Sequence, residues 1–312
     1  MRRVKSGTHC RALIVGVTGL GLVFSLTSSV GAQSLSAPQP LLPFGGAHYV
    51  GEGQWVASGR LTHGVPGIYV TTLRLADSTN RVGVAWLNTS LLSAKIYSGS
   101  LSPGGRFWHY TAPIQRAAAR TLVGAFNGGF LLNASNGGYL SEGHRVAPLR
   151  VGAASLVIYR DGSMTVGQWG RDVRSSPSVV AVRQNLNLLV DGGQPVAGLV
   201  ASDISKWGAA LHAVTNTMRS GIGLTKSGAL VYVAGPMTIV DLAKVLVRAR
   251  AVRAMTLDMN PLWPIFATYS PASPTGYASA GNGKILIDSM QQTAGRFFQP
   301  AYSRDFVTLS VR

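Results

Sequence analysis

Cysteine is almost absent from this chain, since Cys10 is the only one among 312 residues. A disulfide needs two cysteines, so a disulfide framework within the chain is excluded. Cys10 precedes the long apolar run near the N-terminus and is therefore not placed for lipid attachment. If the leader that contains it is removed, a thiol nucleophile is excluded as well. A chain of this length can bury enough apolar surface to fold without cross-links.

Residues 1–32 have the pattern of an export signal. Four basic residues precede an apolar run, Ala12 to Val30, and Val30-Gly31-Ala32 reads as a small-residue cleavage site. We therefore expect a secreted or envelope-associated protein. The alternative is an uncleaved anchor, because the apolar run is almost long enough to span a bilayer. In that case this segment would be the protein's only membrane contact.

Acidic residues are also scarce, with 11 Asp and Glu against 28 Lys and Arg, and the formal charge is +17 at pH 7. Such an excess favours an anionic partner. The chain has no RNP-like motif, zinc finger or dense basic stripe, and export argues against nucleic acid. An anionic envelope polymer or a phosphodiester fits better. No cluster of His, Asp and Glu has metal-ligand spacing, so we expect neither a metal nor a cofactor.

Composition and turn signals divide the rest of the chain. Residues 33–48 are rich in Ser, Pro and Leu and read as a linker. Strand-like runs over residues 49–97 form an accessory region, and residues 98–312 form a single catalytic domain.

Two turn signals, Glu142-Gly143 and Asp161-Gly162, predict antiparallel hairpins. Pro113 to Arg120 reads as a helix, and Thr238 caps a second helix from about Ile239 to Arg250. The predicted fold class is α+β, strand-rich and largely antiparallel, with packed helices.

Three polar loops each accompany an apolar strand. The strand from Thr121 to Phe126 leads into Asn127-Gly128-Gly129-Phe130, where two glycines permit positive φ and close approach to a ligand. Arg219 to Gly223 opens a hairpin. The short strand Ala254 to Leu257 ends at Asp258-Met259-Asn260-Pro261, where Pro261 prevents a helix. Taken singly, each loop also reads as an ordinary turn.

In their order, these loops resemble the phosphodiester glycosidase family. The N-G-G-F motif of that family matches Asn127 to Phe130, its R-[ST]-[AG]-I-G segment matches Arg219 to Gly223, and its helix and strand ending in L-D match Thr238 to Asp258. The likeness covers roughly Thr121 to Tyr269. One departure follows Asp258, where the family's G-G-G-S is replaced and a run of backbone N–H groups is lost.

The resemblance implies a hydrolase that cleaves a sugar from a phosphodiester, with catalytic residues Asp258, Arg219 and Asn127. Gly128, Gly129, Ser220 and Asn260 are the implied substrate-binding residues.

Those residue types suit the chemistry. A departing phosphate is a weak base and hardly needs the strong general acid of an ordinary glycosidase. Arg219 can bind two phosphate oxygens. Asp258 would activate water or stabilise the oxocarbenium-like sugar, and Asn127 would hold a sugar hydroxyl, an acetamido group or a phosphate oxygen. Alternatively, Arg219 pairs with Asp258 in a purely structural role.

Two functions follow from these observations. The first is an exported hydrolase of glycosyl phosphodiesters or of related phosphate-bearing envelope glycans, so that its partner is a glycan or sugar-phosphate substrate. The second is a catalytically silent module that binds an anionic cell-wall polymer, which the basic charge motivates.

Overall fold

The computed structural model describes residues 35–45, 48–76, 78–208 and 214–312. The predicted export signal lies outside these residues. Residues 33–312 form one compact unit. No helix in the described part of the chain is long and apolar enough to cross a membrane.

The described residues form mainly short strands. The strands are β1 (Val56–Ala57), β2 (Leu61–Thr62), β3 (Val65–Pro66), β4 (Ile68–Arg74), β5 (Arg81–Leu87), β6 (Leu92–Tyr97), β7 (Leu122–Asn127), β8 (Tyr139–Ser141), β9 (His144–Ala147), β10 (Ala154–Tyr159), β11 (Met164–Gln168), β12 (Val179–Gln184), β13 (Leu188–Asp191), β14 (Gln194–Pro195), β15 (Thr217–Thr225), β16 (Leu230–Met237), β17 (Ala251–Thr256), β18 (Phe266–Tyr269), β19 (Gly283–Ile285) and β20 (Phe306–Val311). The helices are α1 (Arg116–Ala119), α2 (Ile204–Trp207) and α3 (Ile239–Arg248), with single 3₁₀ turns at Ala280–Asn282 and Ala294–Phe298.

Three larger sheets and one small hairpin arise from these strands. An eight-stranded sheet has the order β1-β4-β5-β16-β15-β17-β13-β14. Two five-stranded sheets have the orders β11-β10-β12-β8-β9 and β19-β18-β7-β20-β6, and β2 pairs with β3. Neighbouring strands in these sheets are antiparallel throughout.

Strand β16 shows how the eight-stranded sheet separates two cores. Its residues alternate between the two faces, as the period of a strand requires. Tyr232 and Ala234 join a core that also contains side chains of both five-stranded sheets, among them Phe126 and Leu156. Val233 lies in a second core on the opposite face, where α3 packs.

Helix α3 begins as the sequence predicts. The Thr238 hydroxyl accepts a hydrogen bond from the Asp241 backbone, and the Asp241 carboxylate reaches back to the Thr238 N–H, which forms a capping box. Such a cap contributes about 1 kcal/mol to helix stability. The helix ends at Arg248, and Arg250 two residues later has a positive φ of 67°.

The prediction of a strand-rich, antiparallel fold is confirmed. The hairpins at Glu142-Gly143 and Asp161-Gly162 join β8 to β9 and β10 to β11. The helical part of the α+β prediction is only loosely supported, because helices are few. The first predicted helix, Pro113 to Arg120, shortens to the four residues of α1.

The described strands before residue 98 are part of the main body of the fold. Strands β4 and β5, in the region predicted as accessory, enter the eight-stranded sheet through the pairing of β5 with β16. Residues 35–45, within the predicted linker, also touch the body. The guanidinium of Arg248, for example, donates to the backbone oxygens of Leu42 and Pro43 at 2.9 and 2.6 Å.

Candidate active site

All three predicted segments meet at Ser220, although Arg219 to Gly223 lies inside strand β15 and is not the loop that the sequence predicts. Strand β7 ends at Asn127, and its side-chain amide donates to the Ser220 Oγ at 2.9 Å. The same Oγ accepts from the backbone N–H of Asp258 at 3.1 Å and donates to the Asp258 carbonyl at 3.2 Å. Ser220 therefore fixes the backbone from which the Asp258 carboxylate extends.

The side chain of Asn127 is fully used inside the protein. Its Oδ1 accepts from the Tyr232 hydroxyl at 2.7 Å and from the Ile265 N–H at 3.1 Å. Its Nδ2 donates to Ser220 and, at 2.8 Å, to the Gly128 carbonyl. An asparagine amide offers two donor and two acceptor positions, so none is left for a ligand. The Asn127 amide therefore bonds to the protein at all of its hydrogen-bonding positions.

Gly128 and Gly129 approach a buried ion pair. Neither glycine uses the positive φ that its lack of a side chain permits. A Cβ at Gly128 would stand 2.1 Å from the Asp305 Oδ2, and one at Gly129 would stand 3.0 Å from the Arg183 Cζ. Glycine is therefore required here by close approach to Asp305 and Arg183.

The ion pair between Arg183 and Asp305 links the two five-stranded sheets next to the Asn127–Phe130 loop. Arg183 lies on β12 of one sheet, and Asp305 directly precedes β20 of the other. The Arg183 Nε donates to the Asp305 Oδ2 at 2.8 Å, and both side chains are buried. The Arg183 Nη2 also donates to the Phe130 carbonyl. Sequence reasoning missed this pair, although Arg183 begins a polar run that interrupts an apolar strand.

One carboxylate oxygen of Asp258 accepts hydrogen bonds, and the other accepts none from the described residues. The Oδ1 accepts from the backbone N–H groups of Met259 and Asn260 at 2.8 and 2.9 Å. The Oδ2 is buried and has no hydrogen-bond partner among the described residues. The turn that the sequence places at this strand end therefore orients the carboxylate and leaves one oxygen for other contacts.

Arg304 provides the cation that faces this oxygen. Its Nη1 lies 3.7 Å from the Asp258 Oδ2 and, in the part of the chain that is described, has no hydrogen-bond partner of its own. The guanidinium stacks over the Trp263 ring at 5.0 Å. Sequence reasoning missed Arg304. Its signal is a charged pair, Arg304-Asp305, directly before the apolar strand β20.

Asp258 and Arg304 line one cavity of about 310 Å³. Its walls combine these charges with amides and a larger number of apolar side chains. The lining residues are Phe130, Leu131, Ala134, Asn136, Leu186, Ile204, Gly208, Asp258, Met259, Asn260 and Arg304. A cavity of this size with a few convergent polar groups has the properties of a small-molecule site.

The electrostatics of the cavity favour proton transfer near neutral pH. Burial raises the pKa of Asp258 to about 6, because desolvation disfavours the charged carboxylate, and the positive charge of Arg304 opposes that rise. A carboxylate with a pKa close to the working pH can act as a general base.

Arg219 does not join Asp258. Strand alternation places Arg219 on the α3 face of β15, whereas its neighbour Ser220 faces Asn127 and Asp258. The Arg219 guanidinium donates to the carbonyls of Met237 and Thr215 at 3.0 and 3.1 Å. No carboxylate in the described ranges forms an ion pair with Arg219.

Asn260 lies at the rim of the cavity. Its Oδ1 accepts from the Leu262 N–H at 3.2 Å, which stabilises the turn before β18. Of the predicted substrate-binding residues, all of which are described, Asn260 lines the cavity, whereas Gly128, Gly129 and Ser220 do not. No group of three or more His, Cys, Asp and Glu in the described residues could hold a metal ion.

Comparison with known proteins agrees with the motif order. The family model for phosphodiester glycosidases matches residues 120–258, which include Asn127, Arg219 and Asp258. The resemblance drawn from the motifs is confirmed, and the match supports a glycosidase-type hydrolase. No curated protein matches the sequence.

Solved structures that are similar to this chain include two distant ones. The catalytic domain of zebrafish N-acetylglucosamine-1-phosphodiester alpha-N-acetylglucosaminidase, auto-inhibited by its pro-peptide, is 16% identical, with 83% of this chain and 87% of that chain covered and a TM-score of 0.48. A hypothetical protein from Synechocystis is 11% identical, with 80% of this chain and 63% of that chain covered and a TM-score of 0.42.

Proposed function

We propose that this chain, whose residues 120–258 match the phosphodiester glycosidases, is an exported hydrolase of glycosyl phosphodiesters or of related phosphate-bearing envelope glycans. The observation that carries the proposal is the pair formed by Asp258 and Arg304. Both present a buried polar atom without a hydrogen-bond partner in the described chain, 3.7 Å apart, in one cavity. A carboxyl group with a raised pKa in a cavity, as Asp258 is, is typical of functional sites.

Arg304 takes the role that the sequence gave to Arg219. Its guanidinium binds the phosphate through charge-assisted hydrogen bonds and stabilises the negative charge that develops on the departing oxygen. Stacking on Trp263 limits the rotation of the side chain, so less entropy is lost when it binds the ligand.

Asp258 acts on the attacking water. Its Oδ2 accepts a proton from water, and the water oxygen bonds to the anomeric carbon of the sugar. The bond between that carbon and the phosphate oxygen breaks, and its electron pair remains on the phosphate. The products are a free sugar and a phosphomonoester. The leaving phosphate needs no strong acid, which is consistent with Asp258 as the one carboxylate among the described lining residues.

Asn127 and Ser220 act on the position of Asp258 and not on the substrate. Together they hold the Asp258 backbone through the Ser220 Oγ. We therefore propose positioning roles for both residues, and a role at the cavity rim for Asn260.

Export and the envelope substrate are parts of the same proposal. They rest on the signal pattern of residues 1–32 and on the formal charge of +17, which favours an anionic glycan.

A release assay tests the proposal. Purified protein is offered a chromogenic sugar-1-phosphodiester and the matching aryl glycoside. We expect sugar release from the diester only, and a loss of at least about 100-fold in Asp258→Asn. Asp288→Asn, an exposed carboxylate, is the matched control. Release from the plain glycoside alone, or unchanged turnover in a folded Asp258→Asn variant, would overturn this mechanism. Salt-sensitive binding of an anionic polymer without release would favour the binding module.

A further inference from the structure

Arg219 is a buried cation close to the cavity but not in it. Only 3% of its surface is exposed, and it is not among the described residues that line the cavity. Two carbonyls accept from its Nε and Nη2, and within the described ranges Nη1 contacts the Met259 Sδ at 3.6 Å. A thioether sulfur is a weak acceptor, so Nη1 keeps most of its capacity to bind an anion.

Met259 lies between that Nη1 and the cavity. Its side chain contacts the guanidinium on one side and forms cavity wall on the other. It packs with Phe130 and Leu186 in a small apolar cluster. Gly208 packs closely against the terminal methyl group of Met259, because a Cβ at Gly208 would lie 2.8 Å from the Met259 Cε.

We propose that Met259 determines specificity by keeping the second guanidinium, that of Arg219, out of the cavity. The site is thereby matched to a singly charged phosphodiester and disfavours a doubly charged phosphomonoester. This inference deepens the proposed function and rests on it for the class of ligand.

The charges inside the cavity give the physical reason. With Met259 in place, the described residues that line the cavity include one carboxylate, Asp258, and one guanidinium, Arg304. A phosphodiester brings one negative charge, whereas a phosphomonoester brings nearly two above pH 7. Among the described lining residues the second charge meets no further cation, and Asp258 repels it. Hydrolysis turns a diester into a monoester, so the same device weakens product binding.

Truncation at Met259 changes this balance. It removes the atoms that separate the Arg219 Nη1 from the cavity and adds one positive charge to the site. Burial lowers the pKa of Arg219 to about 10, which leaves the guanidinium charged at pH 8. The gain belongs to the ligand with two charges, because the first charge is already met by Arg304.

The test measures binding of two small probes, so that it does not depend on turnover. Titration calorimetry at pH 8 compares methyl phosphate, which carries two charges, with dimethyl phosphate, which carries one. We expect Met259→Ala to improve the affinity for methyl phosphate about tenfold more than that for dimethyl phosphate, as one added charge-assisted hydrogen bond would. The double variant Met259→Ala/Arg219→Met should lose this preference.

Met259→Leu is the matched control, because leucine keeps the wall apolar and should keep the native preference between the probes. Met259→Ser gives a second truncation if the alanine variant fails to fold, and circular dichroism establishes folding for each protein. Equal gains for both probes, a gain that survives the loss of Arg219, or no gain in a folded truncation would overturn the inference. If the release assay fails while the probe preference still responds, the proposed hydrolysis is wrong and the role of Met259 as a ligand filter stands.

Discussion

The Oδ2 of Asp258 lies 3.7 Å from the Nη1 of Arg304, and both atoms are buried without hydrogen-bond partners within the described ranges. This distance is too long for a hydrogen bond, although the charges still attract. Leaving buried charged atoms unbonded costs stability. The two atoms are therefore available to one ligand, at a cost that the rest of the fold offsets.

The first prediction concerns the stability of the folded protein. The pKa of Asp258 is raised from 3.8 to about 6 on folding. The folded state therefore favours the protonated carboxyl. The contribution of that protonation to the free energy of unfolding is fully present below pH 4 and is lost as the pH rises from about 4 to about 6. Asparagine does not ionise, so Asp258→Asn should not lose this stability. At pH 8 its free energy of unfolding should exceed that of the native protein by up to about 3 kcal/mol.

Urea unfolding at pH 3.5 and pH 8 measures that difference. The two proteins should be nearly equal at the lower pH. A gain of the same size at both pH values would show that ionisation of Asp258 is not its cause.

The second prediction concerns the pH dependence of turnover. If ionised Asp258 is the base, kcat/KM should rise through about pH 6 in the native protein. Arg304→Gln removes the cation that opposes the rise in the Asp258 pKa. The midpoint should therefore move to higher pH, and kcat/KM above it should fall by about 100-fold.

Arg174→Gln, at an exposed position, provides the control and should leave the profile in place. A profile with a lower rate but an unmoved midpoint would mean that Arg304 does not act on Asp258.

The third prediction separates positioning from substrate contact at Asn127. Asn127→Ala leaves the Tyr232 hydroxyl, the Ser220 Oγ and two backbone groups without their partner. We expect a loss of about 2–4 kcal/mol in the free energy of unfolding. Tyr232→Phe removes one of those hydrogen bonds and should cost about 1 kcal/mol. Unchanged stability with lost turnover would instead favour direct contact between Asn127 and substrate.

The fourth prediction concerns the ion pair beneath the loop. Arg183→Met leaves the Asp305 carboxylate buried without its guanidinium, which should cost about 3–5 kcal/mol. The double variant Arg183→Met/Asp305→Asn should recover part of this loss.

Arg171→Met is the comparison, because Arg171 is about half exposed and pairs with Asp172 and Asp191, so its loss should cost less than that of Arg183. Equal unfolding losses for Arg183→Met and Arg171→Met, measured in urea, would rule out a special role for burial.

Local elements were largely predictable from the sequence. Turn residues at Glu142-Gly143 and the cap at Thr238 determine conformation over a few residues, so their patterns are informative without tertiary context. The first helix was predicted too long, because Ala and Arg favour helix locally, whereas only four residues there are helical in the folded chain.

The candidate site was predictable only in part. Asp258 directly follows a short apolar strand, and this position identified it as a candidate site residue from the sequence alone. Arg219 was chosen for its chemistry, but strand alternation places it on the opposite face from Ser220. Arg304 has no motif, and it reaches Asp258 only because β20 pairs with β7.

The sequence by itself determined the antiparallel hairpins, the cap of α3 and the carboxylate at the end of β17, because each depends on neighbours in the chain. The tertiary structure decided which cation faces that carboxylate and which glycines meet the buried ion pair. Those outcomes depend on strand order and on the side of each sheet that a residue occupies, and distant segments set both. Packing between the sheets therefore places Arg304 opposite Asp258, and Met259 separates Arg219 from the cavity.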